Sequence, residues 1–394
     1  MSNILINIPD INKEYGGVYQ YSIALIKILA KGNLPHQFFI FCNNPEPSLI
    51  EIISDYNNFH FAKPEKIELS RTKIVFTKIL NFIFWKLGSK KRLVASDCYD
   101  KVIKSLNIDI IHTPYQHNVE KKGVKSVTTL HDVQELHFPE FFNSGQRAYR
   151  AVNYKKAIDG ADAVVVSYNH VKKDILKYFK KPEEKVFTVL LDMQNLWLEI
   201  ASPTIKLSLL EKYSLPPNFI LYPASTWEHK NHIKLCEAMK VIKNEDIYLV
   251  CTGNRTPYYY NKILPFIENE NLSKKILFLG IVSDNELLGL YKACRAVIVP
   301  TLYEAGSFPL MESILLGIPV VCSNVTSLPE TIGDDRFIFD PMNAHEISEK
   351  IMMICRNNSF REKNLKIIKE QAKKLRFNNA ALKFAEIYNS ILKN

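Results

Sequence analysis

Short apolar runs alternate with longer stretches of helical periodicity along the whole chain, a pattern that predicts α/β organisation with parallel sheets. Residues 4–8 form the first run, followed by a polar loop, the pair Gly16-Gly17 and a helical pattern over 18–29. Runs at 36–42, 109–112, 126–130, 161–167 and 185–191 have the length of buried strands, and a helix is expected over 169–179. Between about 192 and 217 the periodicity lapses and Pro203, Pro216 and Pro217 appear, as in an interdomain linker. A second series follows, with strands expected at 219–222, 247–251, 276–279, 296–300 and 318–322 and helices over 233–242, 284–291 and 307–317. Helices over 344–356, 360–375 and 378–392 close the chain.

Length agrees with that division, because 394 residues exceed what one hydrophobic core usually organises. A formal net charge of +10 points to an anionic partner: a nucleotide, a membrane surface or nucleic acid. The seven cysteines (42, 98, 236, 251, 294, 322 and 355) are scattered and show no C-x-x-C spacing. That distribution argues against a zinc site or a disulfide framework and for a reducing, cytoplasmic setting. No signal-peptide pattern opens the sequence, and no apolar run reaches the roughly 20 residues that cross a bilayer.

The densest chemistry lies at 301–340. Glu304 and Glu312 stand eight positions apart around the turn Gly306-Ser307-Phe308-Pro309. Ser307 is expected to N-cap a helix, and Pro309 falls in its first turn, where a missing N–H costs nothing. Leu310, Met311, Ile314 and Leu315 share one face, and Gly317 stops the helix. Glu304 then occupies the loop at the helix mouth, while Glu312 lies about one turn inside. Free amides at Gly306, Ser307 and Phe308 suit a diphosphate. A carboxylate one turn in can accept hydrogen bonds from vicinal sugar hydroxyls, as an acidic residue does for ribose in dinucleotide folds. Lys230, at the entrance of the helix over 233–242, adds a point charge for the same diphosphate. Gly17 lets backbone approach a ligand closely. His131, at the carboxyl end of the strand over 126–130, reads either as a hydrogen-bonded structural imidazole or as a ligand contact.

Glu304, seven intervening residues and Glu312, followed by GIPVV and SLPE, resemble the signature of the large retaining GT-B glycosyltransferase family 4. The resemblance implies that Glu304 faces the donor sugar and that Glu312 holds the ribose. It implies further that Gly17 lies near the donor phosphates and acceptor, and that His131, in HDVQELHFPEFF, contacts the donor sugar near its reacting face. Val282, in ILFLGIVSDNELLGLY, matches the strand and loop that hold the nucleotide base. Ser167 with Asp174 resembles another recurring pattern of the family. Two departures stand out. The family commonly places an Arg five residues before its Lys, where this chain has Ser225, leaving His229 and Asn231 as candidates to compensate. The family's usual Asn-Gly pair after the last strand of the first domain is replaced by LLDMQN.

The segment 71–92 carries seven basic residues and no acid. Phe76, Ile79, Leu80, Ile83 and Leu87 form one helical stripe, while Phe82 and Trp85 project elsewhere, beside Lys78. One reading is a core helix with a solvated basic face. The other is an interfacial helix in which Lys78, Phe82 and Trp85 meet an anionic membrane or a lipid-linked acceptor.

These observations and the resemblance imply two Rossmann-like domains facing across a cleft, with a C-terminal helix crossing back to the first. Residues 1–200 would bind acceptor, 201–375 the nucleotide sugar, and 376–394 would pack on the first domain. The expected enzyme is a retaining, metal-independent hexosyltransferase that uses GDP-mannose or a UDP-hexose in surface polysaccharide synthesis. The nucleotide sugar is a substrate, so no cofactor and no nucleic acid are expected. The expected location is the cytoplasm, with contact to the inner face of the membrane. Rival readings are a nucleotide-sugar epimerase on the same scaffold and a non-catalytic nucleic-acid-binding protein.

Overall fold

The computed structural model describes residues 2–9, 17–63, 98–192 and 211–393, together with 75, 76, 79, 80, 83, 84 and 86. Gly16, residues 193–210 of the expected linker, and Lys78, Phe82 and Trp85 lie outside the described residues.

Two parallel sheets organise the chain. The first contains β1 (Asn3–Asn7), β2 (Gln37–Phe41), β3 (Phe59–Ala62), β4 (Ile110–Thr113), β5 (Lys125–Thr129), β6 (Ala163–Val166) and β7 (Val186–Thr188). Their order is β3-β2-β1-β4-β5-β6-β7. The second contains β8 (Phe219–Pro223), β9 (Tyr248–Thr252), β10 (Ile276–Phe278), β11 (Ala296–Val299), β12 (Val320–Ser323) and β13 (Ile338–Phe339). These run β10-β9-β8-β11-β12-β13. Strands such as AVIV and VVCS are buried at every position, as parallel strands covered on both faces must be. Strand order reverses between β1 and β4 in one sheet and between β8 and β11 in the other. The carboxyl ends of those strand pairs are where such sheets form ligand crevices.

The last helix, Ala380–Lys393, joins the core of the first domain rather than that of the second. Phe384 and Tyr388 are wholly buried there, and Tyr388 shares a 2.7 Å hydrogen bond with His112 Nδ1. Asp192, from the LLDMQN stretch, caps this helix by accepting from the amides of Asn378 and, at 3.0 Å, Ala380. The departure from Asn-Gly therefore supplies a carboxylate that ties the returning helix to the end of the first domain.

Several elements escaped the periodicity. The helix Ser144–Gly160 is polar along most of its length and buries only Tyr154, Ala157 and Ile158, so its stripe is too narrow to stand out. It starts at a capping box formed by Asn143 and Gln146. The helix expected over 169–179 is regular only as Asn169–Asp174 and continues as a wider turn over Ile175–Phe179. In the basic segment, Val75, Phe76, Ile79 and Ile83 are 53%, 62%, 51% and 42% exposed, so these positions do not face a core. Among the described residues no helix is long and apolar enough to cross a membrane.

Candidate active site between the sheets

Lys230 follows β8 and Glu304 follows β11, the two strands that flank the second reversal point. Neighbouring strand ends carry these residues together despite their separation in sequence, and Lys230 Nζ donates to Glu304 Oε1 at 2.7 Å. The lysine loop is sewn to its neighbours by backbone geometry. Asn231 adopts a left-handed conformation (φ 61°), and its side-chain Nδ2 donates to the carbonyls of Pro300 and Pro341 at 2.9 and 2.8 Å. The His229 carbonyl accepts from the Leu302 amide and the Thr301 hydroxyl at 2.8 and 3.0 Å. Tyr222 donates to the Lys230 carbonyl at 2.9 Å. Neither candidate substitute for the missing arginine supplies a cation. The Asn231 side chain is committed to two carbonyls, and burial together with Lys230 holds the His229 imidazole down to about 4. Ser225 itself accepts from the Asn254 amide at 3.3 Å.

The helix Phe308–Leu316 begins where the turn predicts and ends at Gly317, whose φ of 69° suits a residue without Cβ. Leu310, Met311 and Ile314 are buried, as the stripe requires. Ser307 occupies the N-cap position but makes no capping hydrogen bond, contrary to expectation. Its hydroxyl is buried and has no partner at all, an arrangement that leaves a donor available beside the free amides of the helix start. Glu304 and Glu312 are each only 6% exposed. Glu312 Oε2 accepts from Tyr291 at 2.6 Å, so a phenol fixes that carboxylate within the helix. Phe308 is exposed at the first helical position, and Val282 lies half-buried after β10, against the core of the second domain.

The first domain brings three further groups to the cleft. His131 follows β5, and its Nε2 lies 3.1 Å from the Pro114 carbonyl, so that nitrogen carries the proton. Burial keeps the imidazole neutral over a wider pH range by lowering its pKa. Its ring meets Tyr21 edge-on at 4.6 Å, four residues into the helix that Gly17 opens. Among the described residues, a Cβ at Gly17 would meet nothing within 4 Å. Two residues beyond His131, the Val133 amide donates to the Tyr303 hydroxyl at 3.4 Å, next to Glu304. Tyr168, after β6, is buried against Gly306 and donates to Met311 Sδ at 3.2 Å. Thus Lys230 pairs with Glu304, the stretch just after His131 reaches Tyr303 beside Glu304, and Tyr168 packs on Gly306.

Tyr168, Tyr291 and Tyr303 were not singled out by the sequence pattern. Each acts through a partner distant in sequence, and only the Ser167 pattern beside Tyr168 marked the neighbourhood. Among the described residues no group of three or more His, Cys, Asp or Glu is arranged to hold a metal ion.

A family profile described as Glycosyltransferase Family 4 matches residues 15–190, and one described as Glycosyl transferases group 1 matches residues 211–375. The chain belongs to the GT-B glycosyltransferases of this family. It is 29% identical over 242 residues to the O-antigen chain mannosyltransferase B of Escherichia coli, covering 60% of this chain and 63% of that one. The match thus spans less than two thirds of that relative. A glycosyltransferase of Rickettsia africae superposes with a TM-score of 0.69 at 22% identity, covering 100% and 99% of the two chains. The Anabaena protein HepE, in complex with UDP and glucose, superposes with a TM-score of 0.65 at 16% identity, covering 99% and 100%.

Proposed function

We propose that this glycosyltransferase moves a hexose from a nucleoside diphosphate sugar to a hydroxyl of a glycan or lipid-linked acceptor, with retention of anomeric configuration. The observation that carries the reading is the Lys230–Glu304 pair at 2.7 Å beside a helix start with an unpartnered buried serine hydroxyl. An ammonium has three N–H donors, so Lys230 can keep Glu304 and still bind a diphosphate oxygen. Together with the amides of Gly306, Ser307 and Phe308 it would neutralise charge as the diphosphate departs, where transition-state stabilisation counts most. Departure assisted in this way uses no metal ion. Glu312, fixed by Tyr291, would accept hydrogen bonds from the ribose. Glu304 and the neutral His131 would orient the hexose so that acceptor attacks from the leaving-group face. Closure of the domains would exclude water and limit hydrolysis.

GDP-mannose is the favoured donor, because the E. coli relative is a mannosyltransferase. That relative's place in O-antigen chains supports surface polysaccharide as the product class. The segment around 75–83 would meet the anionic inner face of the cell membrane.

The test is a donor assay with GDP-mannose and UDP-hexoses, with and without glycan acceptors and with a chelator present. Acceptor-dependent release of nucleotide, and a product whose anomeric proton by NMR matches the donor's configuration, are expected. Free epimerised sugar nucleotide, or no turnover with any donor, overturns the reading.

A further inference from the structure

Gly306 has no positive φ that would demand glycine, yet a Cβ there would sit 2.8 Å from Tyr168 Cε2 and 3.2 Å from its hydroxyl. The missing side chain of a second-domain turn is therefore filled by a first-domain ring. Tyr168 is 5% exposed and reaches past the turn to Met311 Sδ at 3.2 Å. The next residue makes a second cross-domain contact. The Asn169 amide donates to Glu330 Oε1 at 3.1 Å, and its side-chain nitrogen donates to Oε2 at 3.0 Å. Asn169 opens the helix Asn169–Asp174, whose N-cap residue, Tyr168, offers no side-chain cap. Glu330 of the other domain thus supplies the acceptor that the helix start lacks.

Residues just before Glu330 are bound to Glu304. Ser327 donates to the Glu304 carbonyl at 3.2 Å, and the Glu304 amide donates to the Thr326 hydroxyl at 3.4 Å. At its far end the same first-domain helix holds His137 through Asp174 at 2.7 Å, and that imidazole packs on Tyr303 with ring centroids 5.4 Å apart.

We propose that Tyr168 and Asn169 form a closure clasp, with Gly306 as its socket and Glu330 as its catch, so that Tyr168 and Glu330 are positioning residues for the donor turn. The clasp deepens the donor-site reading and rests on it for its catalytic meaning. The Asn169–Glu330 bonds are exposed to solvent and of modest strength, as a contact must be that opens once per turnover to release product.

The experiment measures the interdomain distance by single-molecule energy transfer in the ligand-free full chain, with one dye on each domain. The wild type should be mainly closed. Gly306→Ala, which drives a methyl into the Tyr168 ring, and Glu330→Ala should each raise the open-to-closed ratio about tenfold. Glu330→Gln, which keeps an acceptor oxygen, should stay near wild type, and Gly306→Ala with Tyr168→Leu should recover closure relative to Gly306→Ala alone. With donor, Glu330→Ala should lower kcat more than it alters KM. Unchanged distances in both alanine variants, or a wild type as open as they are, would overturn the clasp. Glu330 is on the surface, so Glu330→Ala remains informative if Gly306→Ala fails to fold. Titration of the wild type with GDP and UDP tests the donor assignment separately, and its failure leaves the distance measurement standing.

Discussion

Lys230 and Glu304 hold each other at 2.7 Å with little water around the carboxylate, so removing one charge strands the other. Lys230→Met should therefore cost roughly 2–4 kcal/mol in chemical denaturation as well as abolish nucleotide binding. The double variant Lys230→Met with Glu304→Gln should regain most of that stability while staying inactive. A cycle in which the two effects simply add would show that the pair is not coupled. His170 invites a second residue-scale test. Burial, reinforced by His137, holds it down to about 4, and both ring nitrogens lack a hydrogen-bond partner. An unfolded imidazole titrates near 6.5, so between about 6.5 and 4 the unfolded chain binds the extra proton. Stability from this group is complete above 6.5 and is lost as pH falls toward 4, by about 1.4 kcal/mol per pH unit. His170→Gln should flatten the pH dependence of unfolding in that window, and curves parallel to wild type would refute the assignment.

At the scale of elements, the returning helix Ala380–Lys393 depends on a first-domain carboxylate for its start. Asp192→Ala should cost about 1 kcal/mol, the usual value of an N-cap, seen as a lower denaturation midpoint of the first domain. Asp192→Asn should retain most of it, and equal losses for both would show that capping is not the role. Strands and the helix at 308–316, with Glu304 before it and Glu312 one turn inside, were legible, because burial on both faces, the early Pro309 and the terminating Gly317 are written in adjacent residues. The helix Ser144–Gly160 was not, since its polar surface leaves no wide stripe. Ser307 was only half legible: its place at the helix start follows from the Gly-Ser-Phe-Pro turn, but its unpartnered hydroxyl depends on what surrounds it. Asp192 lay in a stretch noted only for departing from the family, and its partner is the helix start at 380, which no local pattern connects to it.

For the whole molecule, what joins distant residues is sheet order, and sheet order has no local signature. Lys230 meets Glu304 because β8 and β11 are neighbours, and Tyr168 meets Gly306 because two domains face each other. The family resemblance, rather than periodicity, pointed to the first of these meetings, and for the second only the Ser167 pattern beside Tyr168 marked the neighbourhood. The net charge of +10 likewise belongs to the molecule as a whole, yet one segment concentrates its chemistry. Residues 71–92 hold seven cations and no acid, and Val75, Phe76, Ile79 and Ile83 expose their side chains at helical spacing. Each basic residue near an anionic bilayer contributes about 1 kcal/mol of attraction, and each inserted apolar side chain about 1.5 kcal/mol or more. Sedimentation with phosphatidylglycerol vesicles should therefore exceed that with phosphatidylcholine vesicles. It should weaken in 1 M salt, where screening acts within about 3 Å. Phe76→Ser, Ile79→Ser and Ile83→Ser together should lower partitioning at least about tenfold at any salt concentration, because the apolar contribution is not screened. Turnover of a water-soluble acceptor should stay the same in that triple variant, since none of the three residues belongs to the donor cleft. Equal partitioning of the triple variant and wild type would remove the membrane contact while leaving the transfer chemistry intact.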